Sequence, residues 1–96
     1  MISVNMVAAN VYEVVLEGSK ESIHRVTLSP EFYEEICDGT FTQEWVLIQA
    51  FRLMLEFGER SEIAKEFDLS ELTQRYEYFV IQMQDRLGYK EPAGSD

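Results

Sequence analysis

Few side chains in this sequence could take part in chemistry. His24 is the only histidine and Cys37 the only cysteine, so a nucleophile paired with a base would be Cys37 with His24. Tyr12 and Tyr33 are polar-tipped residues that could line a pocket with them. A lone histidine on an apolar strand face is more often a core residue than a catalyst. These four residues are therefore candidates for a small-ligand pocket, or a minor enzyme site, around His24.

The sequence lacks the patterns by which proteins commonly hold nucleotides and metals. Phosphate loops and dinucleotide-binding turns need clustered glycines, but the glycines here are scattered as Gly18, Gly39, Gly58, Gly88 and Gly94. The carboxylates do not follow the spacing of calcium-binding loops, and a transition-metal site would have a single histidine as its nitrogen ligand. We predict no cofactor and no metal.

Acidic residues dominate the charge of the chain. Eighteen Asp and Glu residues against eight Lys and Arg residues give a formal net charge of −10. This balance argues against nucleic acid or an anionic membrane surface as the partner. It is compatible with a basic protein partner. It also leaves open an acidic mimic of nucleic acid, which would occupy the site of a DNA-binding protein.

The 96 residues are predicted to form one domain over residues 1–88, followed by a disordered tail over residues 89–96. A single cysteine cannot form an intramolecular disulfide, which favours a reducing compartment. No segment approaches the roughly twenty apolar residues that span a bilayer. We therefore expect a soluble, cytoplasmic protein.

Period-two alternation predicts three strands in the first third of the chain. Val11–Glu17 and Ser22–Leu28 alternate around a short glycine-containing link and are typical of a hairpin. Ile2–Met6 alternates in the same way and is expected to add a third strand, because an isolated hairpin is marginal in water. Helical patterns follow these strands. The order predicts an α+β fold, with a small antiparallel sheet packed on three to four helices.

A short acidic helix is predicted between Ser29 and Gly39. Ser29 can cap it and Pro30 fits its first position. Its outer face carries only carboxylates, from Glu31, Glu34, Glu35 and Asp38. This face is either ordinary solvated surface or a docking patch for a basic partner, since like charges at this spacing repel slightly.

The segment from Thr42 to Gly58 is predicted to be the central helix, because it is apolar on most sides. Its polar residues Gln49, Arg52 and Glu56 are spaced by three and four and form a narrow solvent-facing stripe. Trp45 falls on the same side. A tryptophan beside polar residues is expected to pack either under a loop or at an interface. The stripe is the predicted exposed edge of the helix and a candidate contact surface for another chain.

An amphipathic helix of about nineteen residues is predicted from Leu69 to Gly88, with a capping box at its start. Residues 59–66 are expected to be helical for a turn or two before it. Tyr78 and Ile81 widen the apolar side of the long helix. They are candidates for contact with a partner.

The chain resembles a group of short bacterial proteins over about residues 24–79. The residues that carry the resemblance are His24 to Ser29, Tyr33, Gly39, Phe51 to Glu56, Ile63 and Phe67 to Leu69. In that group a hairpin ending H-x-V-T precedes a helical F-x-L-L-E segment, and a Phe-Asp-Leu segment opens the last helix. Those sequences tend to have proline where this chain has Glu77 and Tyr78. The resemblance implies a bacterial origin and the same fold, and no activity.

Taken together, these patterns predict a non-enzymatic protein-interaction or regulatory module. This hypothesis rests on two features: the central helix is apolar on most sides, and the last helix carries aromatic residues outside its main apolar stripe. The partner would be a second copy of the chain, in a homodimer, or a different protein.

Overall fold

This computed structural model describes residues 1–58 and 60–89. Within these residues four strands form one mixed sheet. The strands are β1 (Ile2–Ala8), β2 (Val11–Leu16), β3 (Ser22–Thr27) and β4 (Glu66–Asp68). They lie in chain order across the sheet. The first three are antiparallel, whereas β4 runs parallel to β3. The predicted α+β fold is confirmed, with a fourth, parallel strand that the sequence pattern did not indicate.

The hairpin has the register that its alternation predicts. Tyr12 pairs with Val26 and Val14 pairs with His24, and all four side chains are buried on one face of the sheet. The first strand extends two residues beyond the predicted end at Met6. Its residues Ile2 and Val4 pack against the core. The hairpin therefore obtains the third strand that it needs in water.

Four α-helices cover the buried face of the sheet. They are α1 (Pro30–Cys37), α2 (Gln43–Phe57), α3 (Leu72–Arg75) and α4 (Phe79–Leu87). Single 3₁₀ turns span Arg60–Glu62 and Leu69–Glu71. The first two helices begin as predicted, because Ser29 Oγ accepts from Phe32 N at 3.2 Å and Thr42 Oγ1 accepts from Trp45 N at 3.1 Å.

The central helix α2 supplies much of the core. Val46, Leu47, Ala50 and Phe51 are fully buried. The ring of Phe51 lies 5.5 Å from the ring of His24 on β3 and 6.1 Å from the ring of Phe67 on β4. One aromatic side chain thus joins the helix to both parallel strands.

The predicted solvent-facing stripe of α2 is wrong at Gln49, which is only 5% exposed. With about 100° per residue, Gln49 sits about 40° around the helix from Trp45, towards Val46 and Leu53. Both of these neighbours are buried. Arg52 and Glu56 lie nearer the centre of the stripe and are exposed. The spacing of the three polar residues therefore predicted the correct side of the helix for the exposed stripe. The stripe is narrower than predicted, because Gln49 lies outside it.

The predicted long helix from Leu69 to Gly88 is also wrong, because it is broken between Arg75 and Phe79. Tyr76 is extended, and Tyr78 adopts the left-handed conformation with φ 63°. The break allows the Tyr76 ring to approach Phe57 at 5.8 Å, at the end of α2, while α4 packs against both α1 and α2. Tertiary packing overrides the helical periodicity here.

Comparing two replacements of Tyr78 tests this break. In the left-handed region a residue with a Cβ is strained, by roughly 1 kcal/mol, whereas glycine is not. We therefore expect Tyr78→Gly to be more stable than Tyr78→Ala by about 1 kcal/mol in urea unfolding. A continuous helix would give the opposite order, by about the same amount, because alanine is the better helix former.

Tyr89, the first residue of the predicted disordered tail, is held against the domain. The amide of Tyr89 donates to Gln84 O at 2.9 Å, and its side chain packs against the core. The rest of the predicted tail, residues 90–96, lies outside the described residues, as does Glu59 at the start of the segment predicted to be helical. Within the part that is described, no helix is both long and apolar enough to cross a bilayer.

Candidate functional site

The packing of α1 against α4 brings together residues that the sequence analysis selected for different reasons. The rings of Phe32 on α1 and Phe79 on α4 stack with centres 6.3 Å apart and planes within 7°. The amide Nε2 of Gln84 on α4 donates to the carbonyl oxygen of Glu35 at 3.1 Å. These two contacts hold the helices side by side and leave an open cleft above the aromatic stack.

This α1–α4 cleft has a volume of about 410 Å³. Its lining includes Phe32, Glu35, Thr73, Tyr78, Val80 and Ile81. Three of the predicted interaction residues, Glu35, Tyr78 and Ile81, therefore share one cavity. Tyr78 is 64% exposed and Ile81 is 62% exposed, so the mouth of the cleft presents two large apolar side chains to solvent.

The electrostatic character of the cleft comes from α1. Glu31, Glu34, Glu35 and Asp38 are all exposed, as the predicted acidic face requires. None of these four carboxylates forms an ion pair with another described residue. Only Glu35 lines the cleft itself, and the other three lie on the same helix beside it.

The remaining predicted contact residues lie on α2 and do not line this cleft. Trp45 is 41% exposed, and the guanidinium carbon of Arg52 lies 6.0 Å from its ring centre, within reach of a cation–π contact. Glu56 accepts a hydrogen bond from Arg86 of α4, so it ties two helices together. The exposed part of this stripe is a second, smaller surface formed by Trp45 and Arg52.

Tyr12, Tyr33 and Cys37, three of the predicted ligand candidates, lie near Phe41 and Glu44. The hydroxyl of Tyr33 donates to Phe41 O, and Cys37 Sγ lies 4.0 Å from the same oxygen. Burial raises the pKa of the Tyr12 phenol above its ordinary value of 10.0, and Glu44 and Tyr33 raise it further. Burial likewise raises the pKa of Tyr33, with additional effects of Cys37 and Glu44. These residues stabilise the loop between α1 and α2.

The raised pKa values of Tyr12 and Tyr33 predict a loss of stability in alkali. Below about pH 10 both phenols are protonated in the folded and unfolded chains; above it the unfolded chain releases these protons first, so unfolding becomes easier as pH rises towards the folded pKa. We expect the free energy of unfolding to fall as the pH rises above about 10, and Tyr33→Phe to reduce that slope. The variant should also lose about 1 kcal/mol at neutral pH with its bond to Phe41. An unchanged slope in urea titrations would contradict the assignment.

His24, the fourth ligand candidate, has a different environment. Its Nδ1 lies 2.7 Å from Ala64 O, and its Nε2 lies 2.9 Å from Ser22 Oγ. It is buried but lines a cavity at the β2–β3 turn, and that lining includes none of Tyr12, Tyr33 and Cys37. The partners of His24 are therefore a serine and a backbone carbonyl rather than the predicted tyrosines and cysteine.

Sequence reasoning missed two groups of residues at these sites. Phe32, Thr73 and Val80 belong to the cleft, and only the apolar character of Phe32 and Val80 was visible in the sequence. Lys20, Arg60 and Lys65 line the cavity beside His24. They come from separate segments, and no local motif connects them.

Comparison of the chain with protein-family models, with curated proteins and with solved structures gives no match. Across residues 1–58 and 60–89 there is also no group of three or more His, Cys, Asp or Glu side chains placed to hold a metal ion. The functional argument therefore rests on the geometry of the sites.

Proposed function

We propose that this protein is an interaction module that docks a basic, partly apolar segment of another protein in the α1–α4 cleft. The observation that carries the proposal is the pair Tyr78 and Ile81, both more than 60% exposed at the mouth of a cavity that Glu35 also lines. Apolar surface rimmed by polar residues is typical of a protein–protein contact. A cytoplasmic setting, which the single cysteine favours, is part of the same proposal.

The conformation of Tyr78 supports this reading. A bulky residue in the left-handed region costs of order 1 kcal/mol, and the cost persists only where surrounding structure imposes it. Here the strain accompanies the display of an aromatic ring in solvent. Residues held in such conformations cluster at binding and switch sites.

Charge favours a basic partner over a second copy of the chain. In a twofold dimer through this cleft, the same surface of each copy would face the other. Both copies would then bring the carboxylates of Glu31, Glu34 and Glu35 to the same interface, and an excess of like charge there is unfavourable. Lysine or arginine side chains flanking an apolar anchor would instead neutralise α1 while the anchor covers Tyr78 and Ile81.

The test uses an amphipathic peptide of leucine and lysine as the probe, titrated into ¹⁵N-labelled protein. We expect the amide signals of α1 and α4 to shift and the binding to weaken as salt is added. Ile81→Ser should weaken binding by about tenfold, as expected for loss of a buried apolar contact. The matched control is Ile23→Ser, since Ile23 is 51% exposed on the sheet; this variant should bind as the parent does.

Two results would overturn the proposal. Equal effects of Ile81→Ser and Ile23→Ser would show that the peptide binds without using the cleft. A doubled mass by light scattering that Ile81→Ser abolishes would show that the occupant is a second copy of this chain.

A further inference from the structure

A concentration of positive charge lies at the β2–β3 turn. It lines a cavity that shares no lining residue with the α1–α4 cleft. Three of the eight basic residues of the chain line one cavity there: Lys20 in the turn, Arg60 in the 3₁₀ turn after α2, and Lys65 before β4. Glu21, Ser22, His24 and Ser61 also line it. The net charge of the chain is −10, so the charge of this basic cavity has the opposite sign to that of the chain as a whole.

The charges of the basic cavity are not neutralised by ion pairs among the described residues. The guanidinium of Arg60 donates from Nη1 to Lys20 O and from Nη2 to Glu17 O at 3.4 Å. Both acceptors are neutral carbonyls, so they orient the guanidinium without neutralising it. Gly18 in the same turn has φ 146°, a backbone conformation that favours glycine.

His24 and Ser22 form part of the cavity wall. Ala64 O can only accept, so Nδ1 of His24 must donate across the 2.7 Å contact. In the neutral imidazole, Nε2 then accepts the hydroxyl hydrogen of Ser22 across 2.9 Å. His24 is thus a positioning residue for the Ser22 hydroxyl.

We propose that the basic cavity binds inorganic phosphate or a small phosphate monoester. Lys20, Arg60 and Lys65 supply the charge for a compact oxyanion. The volume of about 410 Å³ is many times the roughly 30 Å³ of a water molecule, which leaves room for the organic part of an ester.

The charges of the cavity lining favour an anion. The charged groups of the lining are Lys20, Glu21, Arg60 and Lys65, three of which are positive. The cavity therefore carries a net positive charge, which attracts a compact oxyanion rather than a cation.

Isothermal titration calorimetry with phosphate tests the site. Lys20→Ala/Lys65→Ala should weaken binding by at least about tenfold. The matched control is Arg25→Ala/Arg52→Ala, which removes the same charge from two exposed residues outside the cavity lining and should change binding by about twofold or less.

Each other outcome overturns a defined part of the proposal. The absence of a phosphate-dependent heat, or equal losses in the two double variants, would remove the site. Glycerol phosphate is the second ligand: tighter binding than phosphate identifies a monoester as the occupant, and weaker binding identifies the free ion. None of these results depends on the cleft residues.

Discussion

Replacing Phe79 by alanine is expected to lower the free energy of unfolding by about 3–5 kcal/mol, the usual cost of removing a buried aromatic ring. Phe79 is fully buried, stacks on Phe32 of α1 and lies 6.4 Å from the ring of Tyr76. It is the first residue of α4, where the chain resumes a helix after the break. Its loss would remove the floor of the α1–α4 cleft as well as core volume.

The measurement is urea unfolding monitored by circular dichroism, with Tyr78→Ala as the control. Tyr78 is the preceding residue but is exposed and contributes little to the core, so that variant should remain within about 0.5 kcal/mol of the parent. A small change for Phe79→Ala, or a large one for Tyr78→Ala, would mean that Phe79 is not the buried member of this pair. In a stable domain of this size, about 3–5 kcal/mol is a large part of the total.

The fold was predictable to the extent that its signals are local. The alternation of apolar and polar residues predicted β2 and β3, because one face of each strand is buried. Ser29 and Thr42 predicted two helix starts, because the side-chain oxygen of each cap accepts a hydrogen bond from a free backbone amide. β4 gave no such signal. It has only three residues, too few to show an alternating pattern. It forms because His24 and the backbone of β3 bind this segment through hydrogen bonds.

The individual residues of the candidate sites were predictable in part, but their arrangement in space was not. The exposed aromatic and apolar residues of the last helix and the acidic face of α1 were visible in the sequence, but their meeting in one cleft depends on the break near Tyr78. That break follows from packing rather than from propensity. The basic cavity was invisible, since Lys20, Arg60 and Lys65 converge only when β4 pairs with β3.

Replacing His24 by leucine, a residue of similar size, is expected to cost about 1–3 kcal/mol, because it leaves the Ala64 carbonyl without its imidazole donor. The contact with Phe51 would survive in part, so packing alone predicts a small effect. The hydrogen bond spans 40 residues and joins β3 to the segment that leads into β4. We therefore expect the loss to be concentrated there, with faster amide exchange in residues 66–68.

The control is Ser22→Ala, which removes the other partner of the imidazole. Ser22 is only half-buried, so this variant should cost less than about 1 kcal/mol and leave the exchange of β4 unchanged. If His24→Leu were as stable as the parent, the histidine would be needed for something other than the fold. Loss of phosphate binding in that stable variant would then assign His24 to the basic cavity directly. A destabilised variant with faster exchange in β4 would instead show that one side chain serves both the parallel strand and the cavity it encloses.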